Sequence, residues 1–447
     1  VTVPPMGAVD MAPFYAALPF SLTGAQRRSI DEALGDMRSG LPMNRLCQGD
    51  VGSGKTMVAA ACVYFAARNG RQAALMAPTE ILARQHYETL SPLLEPLGLR
   101  CALLTGSTGV KAKRETNAAL AAGDIDLAIG THALLTGTVT FRDLGLVVTD
   151  EQHRFGVAQR AALAEKGLHP HTLVMSATPI PRTLALILYG DLDVSLIDEL
   201  PPGRQPIETF AVPGSYRPRI YAFLRKHIAQ GRQAYIVCPM VESSEEGGED
   251  AKAVKDYAQQ LQKEVFPDLR VAFVHGKMKP KEKEAVMAAF AAGETDLLVS
   301  TTVIEVGVDV PNAAVMVVEN AERFGLSQLH QLRGRVGRGK HQSYCILISD
   351  NQNEETRQRL KILTKTNDGF RLAEEDLRLR GPGDFFGVRQ HGLPGLRVAD
   401  LGCDAQLLQS AQKSAEALLA GDPELAHSPA LRDRVAELFA RNAETMN

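Results

Sequence analysis

The feature that most constrains the fold of this chain is a glycine-rich loop that leads into an apolar helix pattern near Met57. It matches G-x-x-x-x-G-K-[ST] in full. Glycines let backbone N–H groups converge on phosphates at a helix N-terminus. The lysine reaches the β and γ phosphates, and the hydroxyl ligates Mg²⁺. We therefore expect bound ATP and Mg²⁺, although a chance glycine-rich turn is the alternative. The loop reads Gly49-Asp50-Val51-Gly52-Ser53-Gly54-Lys55-Thr56.

A second segment, residues 144–151, ends an apolar strand pattern with two carboxylates, Asp150 and Glu151. Parallel α/β sheets bind ligands at the carboxyl ends of their strands. We expect Asp150 to hold Mg²⁺ through water and Glu151 to orient or deprotonate the attacking water. Acidic pairs at strand ends are common, so this pair alone is weak evidence for a nucleotide site. It indicates such a site only together with the glycine-rich loop.

Two residues upstream of the loop are candidates for the adenine base. A glutamine amide such as Gln26 can pair bidentately with the adenine edge, and Phe20 can stack on the ring. Helix surfaces carry many glutamines, so an ordinary surface role is the alternative.

Apolar strand-like runs and longer helix-like runs alternate twice along the chain, between about residues 26 and 199 and again between 234 and 348. Residues 127–130 and 296–300 are two of the strand-like runs. This alternation predicts an α/β fold with two parallel-sheet lobes, each with helices on both faces. The Pro-rich segment 198–206 interrupts both periods and predicts a linker. The acidic segment 242–250, rich in Gly and Ser, predicts a mobile surface loop in the second lobe. We expect a first lobe over 1–200, a second over 201–350, and a mainly helical element over 351–447.

Late in the second lobe, residues 328–339 carry three arginines separated by Gly and Val, a pattern poorly suited to a protein core. The glycines allow close approach to a partner surface. Arg335 and Arg338 are candidates for arginine fingers on the γ-phosphate. A solvated basic loop, or a contact to a phosphate backbone, is the alternative.

Composition excludes several classes. The hydrophobic share of 45 % is that of a globular protein, and the net charge of −3 gives no general preference for polyanions. The six cysteines form no C-x-x-C pair, which predicts buried reduced thiols. Residues 57–67, the longest apolar stretch, are too few to span a membrane, so we expect a cytoplasmic protein that does not contact the membrane.

Five segments resemble the ordered motifs of superfamily 2 helicases, whose core is two RecA-like lobes. They are GDVGSGKT, DEQHRFGV, SATPIPRT, STTVIEVGVDVPNA and QLRGRVGRG. The resemblance implies that Ser176, Ala177 and Thr178 couple nucleotide to nucleic acid and that His153 relays the signal. It further implies that Gly307 and Asp309 contact the ribose and the first lobe. Residues expected to grip the nucleic-acid backbone are Thr79, Thr131, His275 and Thr301.

Within that superfamily the chain resembles the RecG family. Ser53 and Gln152 favour it over the transcription-repair coupling factor, which usually has Phe and Glu there. Residues 368–390 are similar to the translocation motif of both families, which implies working polar roles for Arg359, Arg380 and Gln390. The arginines could instead pair with the acidic residues 374–376.

The resemblance implies an ATP-dependent helicase or translocase that moves on duplex or branched DNA and remodels stalled forks and recombination intermediates. Expected partners are duplex DNA, forks, Holliday junctions and single-stranded DNA-binding protein, and we expect a monomer. A coupling translocase, an RNA helicase core and a non-catalytic scaffold are the alternatives. The family's N-terminal wedge domain has no counterpart in the roughly twenty-five residues before Gln26, which implies either a fragment or a chain without it.

Overall fold

The chain divides into two compact units, Val1–Pro179 with Asp191–Leu372, and Ile180–Gly190 with Ala373–Asn447. The two sheets formed by the described residues lie in the first unit. The computed structural model describes residues 2–150, 166–178, 180, 192–201, 203, 205–239, 248–301, 310–380 and 405–444.

The first lobe is built on a seven-stranded parallel sheet with the strand order β3-β4-β2-β5-β6-β1-β7. Its central strands are buried on both faces, which is why they are continuous apolar runs in the sequence. The strands are β1 Asn44–Gly49, β2 Gln72–Met76, β3 Cys101–Leu104, β4 Leu127–Gly130, β5 Leu144–Asp150, β6 His171–Ser176 and β7 Asp193–Ile197.

Side-chain caps fix where two helices of this lobe begin. Thr23 and Gln26 form a reciprocal capping box at the start of one helix, and the Thr79 hydroxyl accepts from the Leu82 N–H at the start of another. The helix after the glycine-rich loop is almost wholly buried. The helices are α1 Ala12–Ala17, α2 Gly24–Arg38, α3 Lys55–Arg68, α4 Glu80–Leu94 and α5 Val110–Ala122.

The second lobe contains a six-stranded parallel sheet with the order β10-β11-β9-β12-β13-β8. Two separate apolar clusters cover its two faces. Its strands are β8 Glu208–Val212, β9 Gln233–Val237, β10 Val271–Val274, β11 Leu297–Ser300, β12 Ala313–Val318 and β13 Tyr344–Ile348. Its helices are α6 Arg217–Ala229, α7 Gly248–Gln260, α8 Pro280–Ala291 and α9 Leu326–Arg333.

After the second sheet the described chain is helical. The helices are α10 Glu354–Lys365, α11 Gly369–Arg380, α12 Ala405–Gly421 and α13 Pro429–Glu444. The predicted α/β fold with two parallel-sheet lobes and a helical C-terminal region is therefore confirmed. In the described part of the chain no helix combines the length and apolar character that a membrane crossing requires.

Strand register in the first sheet places three predicted site segments at the carboxyl ends of adjacent strands. Gln48 of β1 lies beside Ser176 of β6, and Met175 of β6 lies beside Asp150 of β5. The ends of these three adjacent strands are therefore level. These strand ends carry the glycine-rich loop, the Ser-Ala-Thr segment and the Asp150 carboxylate. All three therefore lie at the same crevice of the sheet.

The cysteine prediction is only partly right. Cys47, Cys62 and Cys345 are buried, and burial raises the pKa of each thiol to about 12. Cys101 and Cys238 are partly exposed instead, because the first is on an edge strand and the second follows the end of β9. Cys403 lies outside the described residues.

Candidate nucleotide site between the two lobes

The phosphate loop, residues 49–54, connects β1 to the N-terminus of α3. Gly52 and Gly54 have positive φ values of 77° and 84°. The positive φ of Gly54 disfavours a larger residue, and a Cβ there would lie 2.1 Å from Nε2 of Gln26, so that the glutamine amide would have to shift. The loop therefore has the backbone shape that a concave ring of N–H donors requires.

The reactive side chains of this loop are positioned by local contacts. Lys55 Nζ donates to the carbonyl oxygens of Gly49 at 2.8 Å and Asp50 at 2.9 Å. Thr56 is in the first turn of α3. Among the described residues nothing hydrogen-bonds to the buried Ser53 hydroxyl. An ammonium group, two hydroxyls and a helix N-terminus form a donor set that fits a triphosphate with its Mg²⁺.

Asp150 ends β5 and is held by a residue that the sequence analysis missed. Its Oδ2 lies 2.6 Å from Nε2 of His86, with side-chain exposures of 13 % and 11 %. His86 is on the buried face of α4, and nothing in its sequence spacing distinguishes it from a core histidine. The contact restricts the carboxylate orientation that the predicted metal role needs.

The two adenine candidates have different surroundings. Gln26 is buried: its Oε1 accepts from the Thr23 N–H at 2.9 Å, and its Nε2 donates to the Ser53 carbonyl at 2.8 Å. Phe20 is 46 % exposed and lines a cavity of about 430 Å³ that includes Tyr15 and Arg27. The structure thus connects Gln26 to the phosphate loop by direct contact, whereas Phe20 is on a separate surface cavity.

A cavity of about 770 Å³ opens between the lobes and is lined by Gly52 of the phosphate loop and by Arg338 of the second lobe. The backbones approach closely beside it, since a Cβ on Gly334 would lie 3.1 Å from the Cβ of Val51. Arg338 Nε donates to the Gly334 carbonyl at 3.2 Å, and Arg335 is 7 % exposed. The phosphate loop and the arginine segment therefore belong to one site.

The expectation that the arginines of this segment avoid the core is wrong for Arg333. It is 1 % exposed and donates to the carbonyls of Leu363 at 2.8 Å and Thr366 at 2.9 Å. Burial lowers the pKa of the Arg333 guanidinium. A buried arginine is tolerated because these backbone acceptors replace water. Sequence patterning treats all arginines alike and could not have separated Arg333 from its neighbours.

Thr178 is a contact point between the lobes. Its hydroxyl accepts from Gln331 Nε2 at 2.8 Å, and its carbonyl accepts from Gln48 Nε2 at 3.0 Å. Its own N–H donates to the Ser176 hydroxyl at 3.3 Å. The coupling segment predicted from the resemblance thus connects the strand before the phosphate loop to α9. Gln48 and Gln331 were not singled out in the sequence.

The nucleic-acid candidates differ in accessibility. The hydroxyls of Thr131 and Thr301 are buried and have no hydrogen-bond partner within the described ranges. Thr79 is partly exposed and caps α4. The His275 ring stacks on Phe273 with centroids 6.0 Å apart, and partial burial lowers the pKa of His275.

The translocation candidates are described in part. Arg359 Nη2 donates to the Glu322 carbonyl at 2.6 Å, so α10 is tied to the second lobe. Arg378, which the sequence analysis did not single out, pairs with Glu375 of the acidic cluster at 2.8 Å. The side chain of Arg380 lies outside the described part. So do the predicted site residues Glu151, His153, Gly307, Asp309 and Gln390.

Three protein-family models match the chain. They are "DEAD/DEAH box helicase" over residues 23–187, "Helicase conserved C-terminal domain" over 219–340, and "ATP-dependent DNA helicase RecG, domain 3, C-terminal" over 366–438. Their order agrees with the first lobe, the second lobe and the helical region.

Similar proteins give the same result. The chain is 53 % identical over 428 residues to the ATP-dependent DNA helicase RecG of Synechocystis sp., covering 96 % of this chain and 51 % of that protein. RecG of Bacillus subtilis is 50 % identical over 443 residues, covering 98 % and 64 %. A solved structure of RecG bound to a three-way DNA junction superposes with a TM-score of 0.77 at 47 % identity, covering 91 % of this chain and 53 % of that one.

The chain thus spans between about half and two thirds of the length of these curated relatives. Within that span the match is nearly continuous and includes both lobes and the region after them. By these matches the chain belongs to the RecG family of ATP-dependent DNA helicases.

Proposed function

We propose that this chain is the motor core of a DNA translocase that moves on duplex or branched DNA and remodels stalled replication forks and recombination intermediates. The observation that carries the proposal is the cavity lined by both Gly52 and Arg338, one from each lobe. A simple hydrolase needs one lobe. A motor needs a nucleotide that holds two lobes together and a hydrolysis step that releases them.

In the nucleotide site, Lys55 would leave the carbonyls of Gly49 and Asp50 to bind the β and γ phosphates. The Thr56 hydroxyl and the Asp150 carboxylate would hold Mg²⁺, which when bound neutralises charge on the phosphates. Glu151 would orient or deprotonate the attacking water. Backbone N–H groups of Gly49, Gly52, Ser53 and Gly54 would complete the phosphate contacts.

From the second lobe, Arg335 and Arg338 would stabilise the charge that develops on the γ-phosphate. A group placed in advance needs no reorganisation during the reaction, which is the source of its effect on rate. Gly307 and Asp309 would contact the ribose. Phe20, on its separate surface cavity, and Gln26, whose amide contacts Thr23 and Ser53, would have to rearrange to contact the base. Hydrolysis would release the γ-phosphate that Lys55 and the two arginines contact from opposite lobes, which would let the lobes separate.

For DNA, we assign the backbone contacts to the loops that carry Thr79, Thr131, His275 and Thr301. Main-chain donors and small hydroxyls fix position without reading sequence. Because two of the hydroxyls are buried, contact by those loops would use backbone N–H groups or a local rearrangement. These contacts would form a narrow path along the DNA backbone, which would explain how a chain of net charge −3 binds a polyanion.

Ser176, Thr178 and His153 would couple this path to the nucleotide, and Arg359, Arg380 and Gln390 would convert lobe movement into steps. Support for branched substrates comes from the solved RecG relative, which is bound to a three-way DNA junction. We extend the proposal to forks and Holliday junctions, to single-stranded DNA-binding protein as a partner, and to a monomeric state on the family resemblance. The limits at residues 200 and 350 remain our proposed lobe boundaries.

The test is the ATPase rate measured in parallel with fork DNA, linear duplex, single-stranded DNA and RNA. We expect duplex and branched DNA to stimulate turnover, and Lys55→Ala or Glu151→Gln to reduce it at least about 100-fold. Preferential stimulation by RNA would support an RNA helicase core instead. Unchanged turnover in both variants would reject the assignment of the site.

A further inference from the structure

The carboxylate of Asp50, the second residue of the phosphate loop, contacts three parts of the chain. Its Oδ1 lies 2.7 Å from Nε2 of His330 on α9 and accepts from the Val51 N–H at 2.7 Å. Its Oδ2 accepts from the N–H of Gly369, the first residue of α11, at 3.2 Å. One side chain of the phosphate loop therefore contacts both the second lobe and the first turn of a C-terminal helix.

This contact is enclosed. The side chains of Asp50 and His330 are 15 % and 6 % exposed. Burial would raise the pKa of the Asp50 carboxyl, but the hydrogen bond from His330, the Val51 N–H and the nearby Lys55 ammonium together hold that pKa below its usual value. The carboxylate is thus available as an anionic acceptor, and hydrogen bonds to a charged group are stronger than neutral ones.

The other nitrogen of His330 continues the network. Nδ1 of His330 lies 2.8 Å from Nη2 of Arg333. A guanidinium has only donors, so Nδ1 accepts and Nε2 carries the proton that is donated to Asp50. Arg333 in turn donates to the carbonyls of Leu363 and Thr366, at the end of α10. Two routes from Asp50, one direct and one through His330, therefore meet at the turn between α10 and α11.

The backbone of Asp50 contacts the lysine that would bind the nucleotide. Lys55 Nζ donates to the Asp50 carbonyl at 2.9 Å, and the Ser53 N–H donates to the same carbonyl at 3.0 Å. Movement of Lys55 to a bound phosphate would break the first of these hydrogen bonds and leave the second. The residue whose backbone would lose a contact on phosphate binding is therefore the residue whose side chain contacts α9 and α11.

We propose that Asp50 and His330 form a positioning relay that transmits the state of the phosphate loop to the α10–α11 pair. The relay rests on the proposed motor function and adds the route by which nucleotide binding reaches the translocation element. A static brace between the lobes would have the same contacts but would not move α11 in response to nucleotide. The relay and the static brace differ in how a variant changes the coupling of ATP hydrolysis to translocation, not in how it changes folding.

A matched pair of variants separates these cases. The terminal amide of glutamine lies near the position of imidazole Nε2, so His330→Gln keeps a donor for Asp50. The shorter amide of His330→Asn lies near the Nδ1 position and loses that donor. A second pair acts on the direct route: Gly369→Ala keeps the N–H, whereas Gly369→Pro removes it at a helix position where proline is tolerated.

Two measurements apply to the full chain. The first is base pairs translocated per ATP hydrolysed, from triplex displacement and phosphate release in the same sample. The second is hydrogen exchange of the amides in 366–380 with and without a non-hydrolysable ATP analogue. We expect His330→Asn and Gly369→Pro to lower base pairs per ATP about tenfold, and to abolish the analogue-dependent change in exchange. His330→Gln and Gly369→Ala should retain both.

The outcomes are distinguishable. Equal losses of ATP turnover and translocation in His330→Asn, with the exchange response intact, would show a brace and overturn the relay. So would wild-type coupling in both donor-deleting variants. A wild-type chain that neither translocates nor shows DNA-stimulated turnover would overturn the proposed function itself, and the relay with it.

Discussion

Gln331 of α9 donates a 2.8 Å hydrogen bond from Nε2 to the hydroxyl oxygen of Thr178, a residue of the other lobe that lies 153 positions earlier in the chain. The Thr178 carbonyl accepts from Gln48, which is next to the phosphate loop. A single threonine therefore connects the second lobe to the strand that leads into the nucleotide site. Its hydroxyl forms a hydrogen bond between the lobes, and its carbonyl forms a hydrogen bond within the first lobe.

Removal of the hydroxyl should weaken communication between the lobes. We expect Thr178→Val to reduce the ratio of DNA-stimulated to unstimulated ATPase rates about fivefold, the effect of one lost hydrogen bond of about 1 kcal/mol. Thr178→Ser keeps the hydroxyl and is the control. A steady-state phosphate-release assay with and without duplex DNA measures the ratio. Equal ratios in Thr178→Val and the wild type would show that this contact carries no signal.

Arg333 and Arg338, five residues apart, should have different effects when they are replaced. Arg333 is 1 % exposed and satisfies two backbone carbonyls, so Arg333→Met leaves those carbonyls unpaired. We expect a loss of about 2 to 5 kcal/mol in the free energy of unfolding, from urea titration followed by circular dichroism. Arg338→Met, at a partly exposed position on the cavity, is the control.

That control should keep wild-type stability and lose ATP turnover, by about 10³-fold if Arg338 acts as a finger. The opposite pattern, with Arg338→Met destabilised and Arg333→Met unaffected, would reverse the two assignments.

Strand positions were the most predictable part of the fold. Buried parallel strands are short apolar runs, and the expected segments 127–130 and 296–300 agree closely with Leu127–Gly130 and Leu297–Ser300. Strand β1 was missed because Asn44–Gly49 contains Asn, Arg and Gln, whose burial depends on tertiary partners. Strand β8 was missed because it is a mostly exposed edge.

The candidate site was predictable where function needs a fixed spacing along the chain, as in residues 49–56. It was not predictable where two distant residues meet. The contacts of Asp150 with His86 and of Asp50 with His330 join residues 64 and 280 positions apart. Neither histidine has a local pattern, so only the folded chain could reveal these pairs. The predicted surface loop 242–250 is a different error, since its last residues begin α7.

Gln26 offers a test of two roles at one residue. Gln26→Glu keeps the Oε1 acceptor for the Thr23 N–H but removes the donor to the Ser53 carbonyl. Because that carbonyl belongs to the phosphate loop, we expect the Kd for ATP and for GTP to rise by a similar factor, about tenfold. Titration with fluorescent analogues of both nucleotides measures it. An additional loss confined to ATP would report the adenine contact that the sequence predicts, and unchanged affinity for both would contradict either role.

His171 predicts a pH dependence of stability in the first lobe. Burial lowers the pKa of His171 below its usual 6.5, and its Nδ1 accepts from the Met43 N–H at 2.9 Å. Because the unfolded chain binds the proton more readily, this contribution is present above pH 6.5 and is lost as pH falls from there through the folded-state pKa. The slope is at most about 1.4 kcal/mol per pH unit.

His227 has a pKa lowered in the same direction, so the matched variant is essential. His171→Asn keeps an acceptor near Nδ1 and cannot titrate. Urea midpoints measured between about pH 7.5 and 5.5 should fall less steeply for this variant than for the wild type. Parallel lines for the two proteins would show that His171 does not contribute to the acid sensitivity of the lobe.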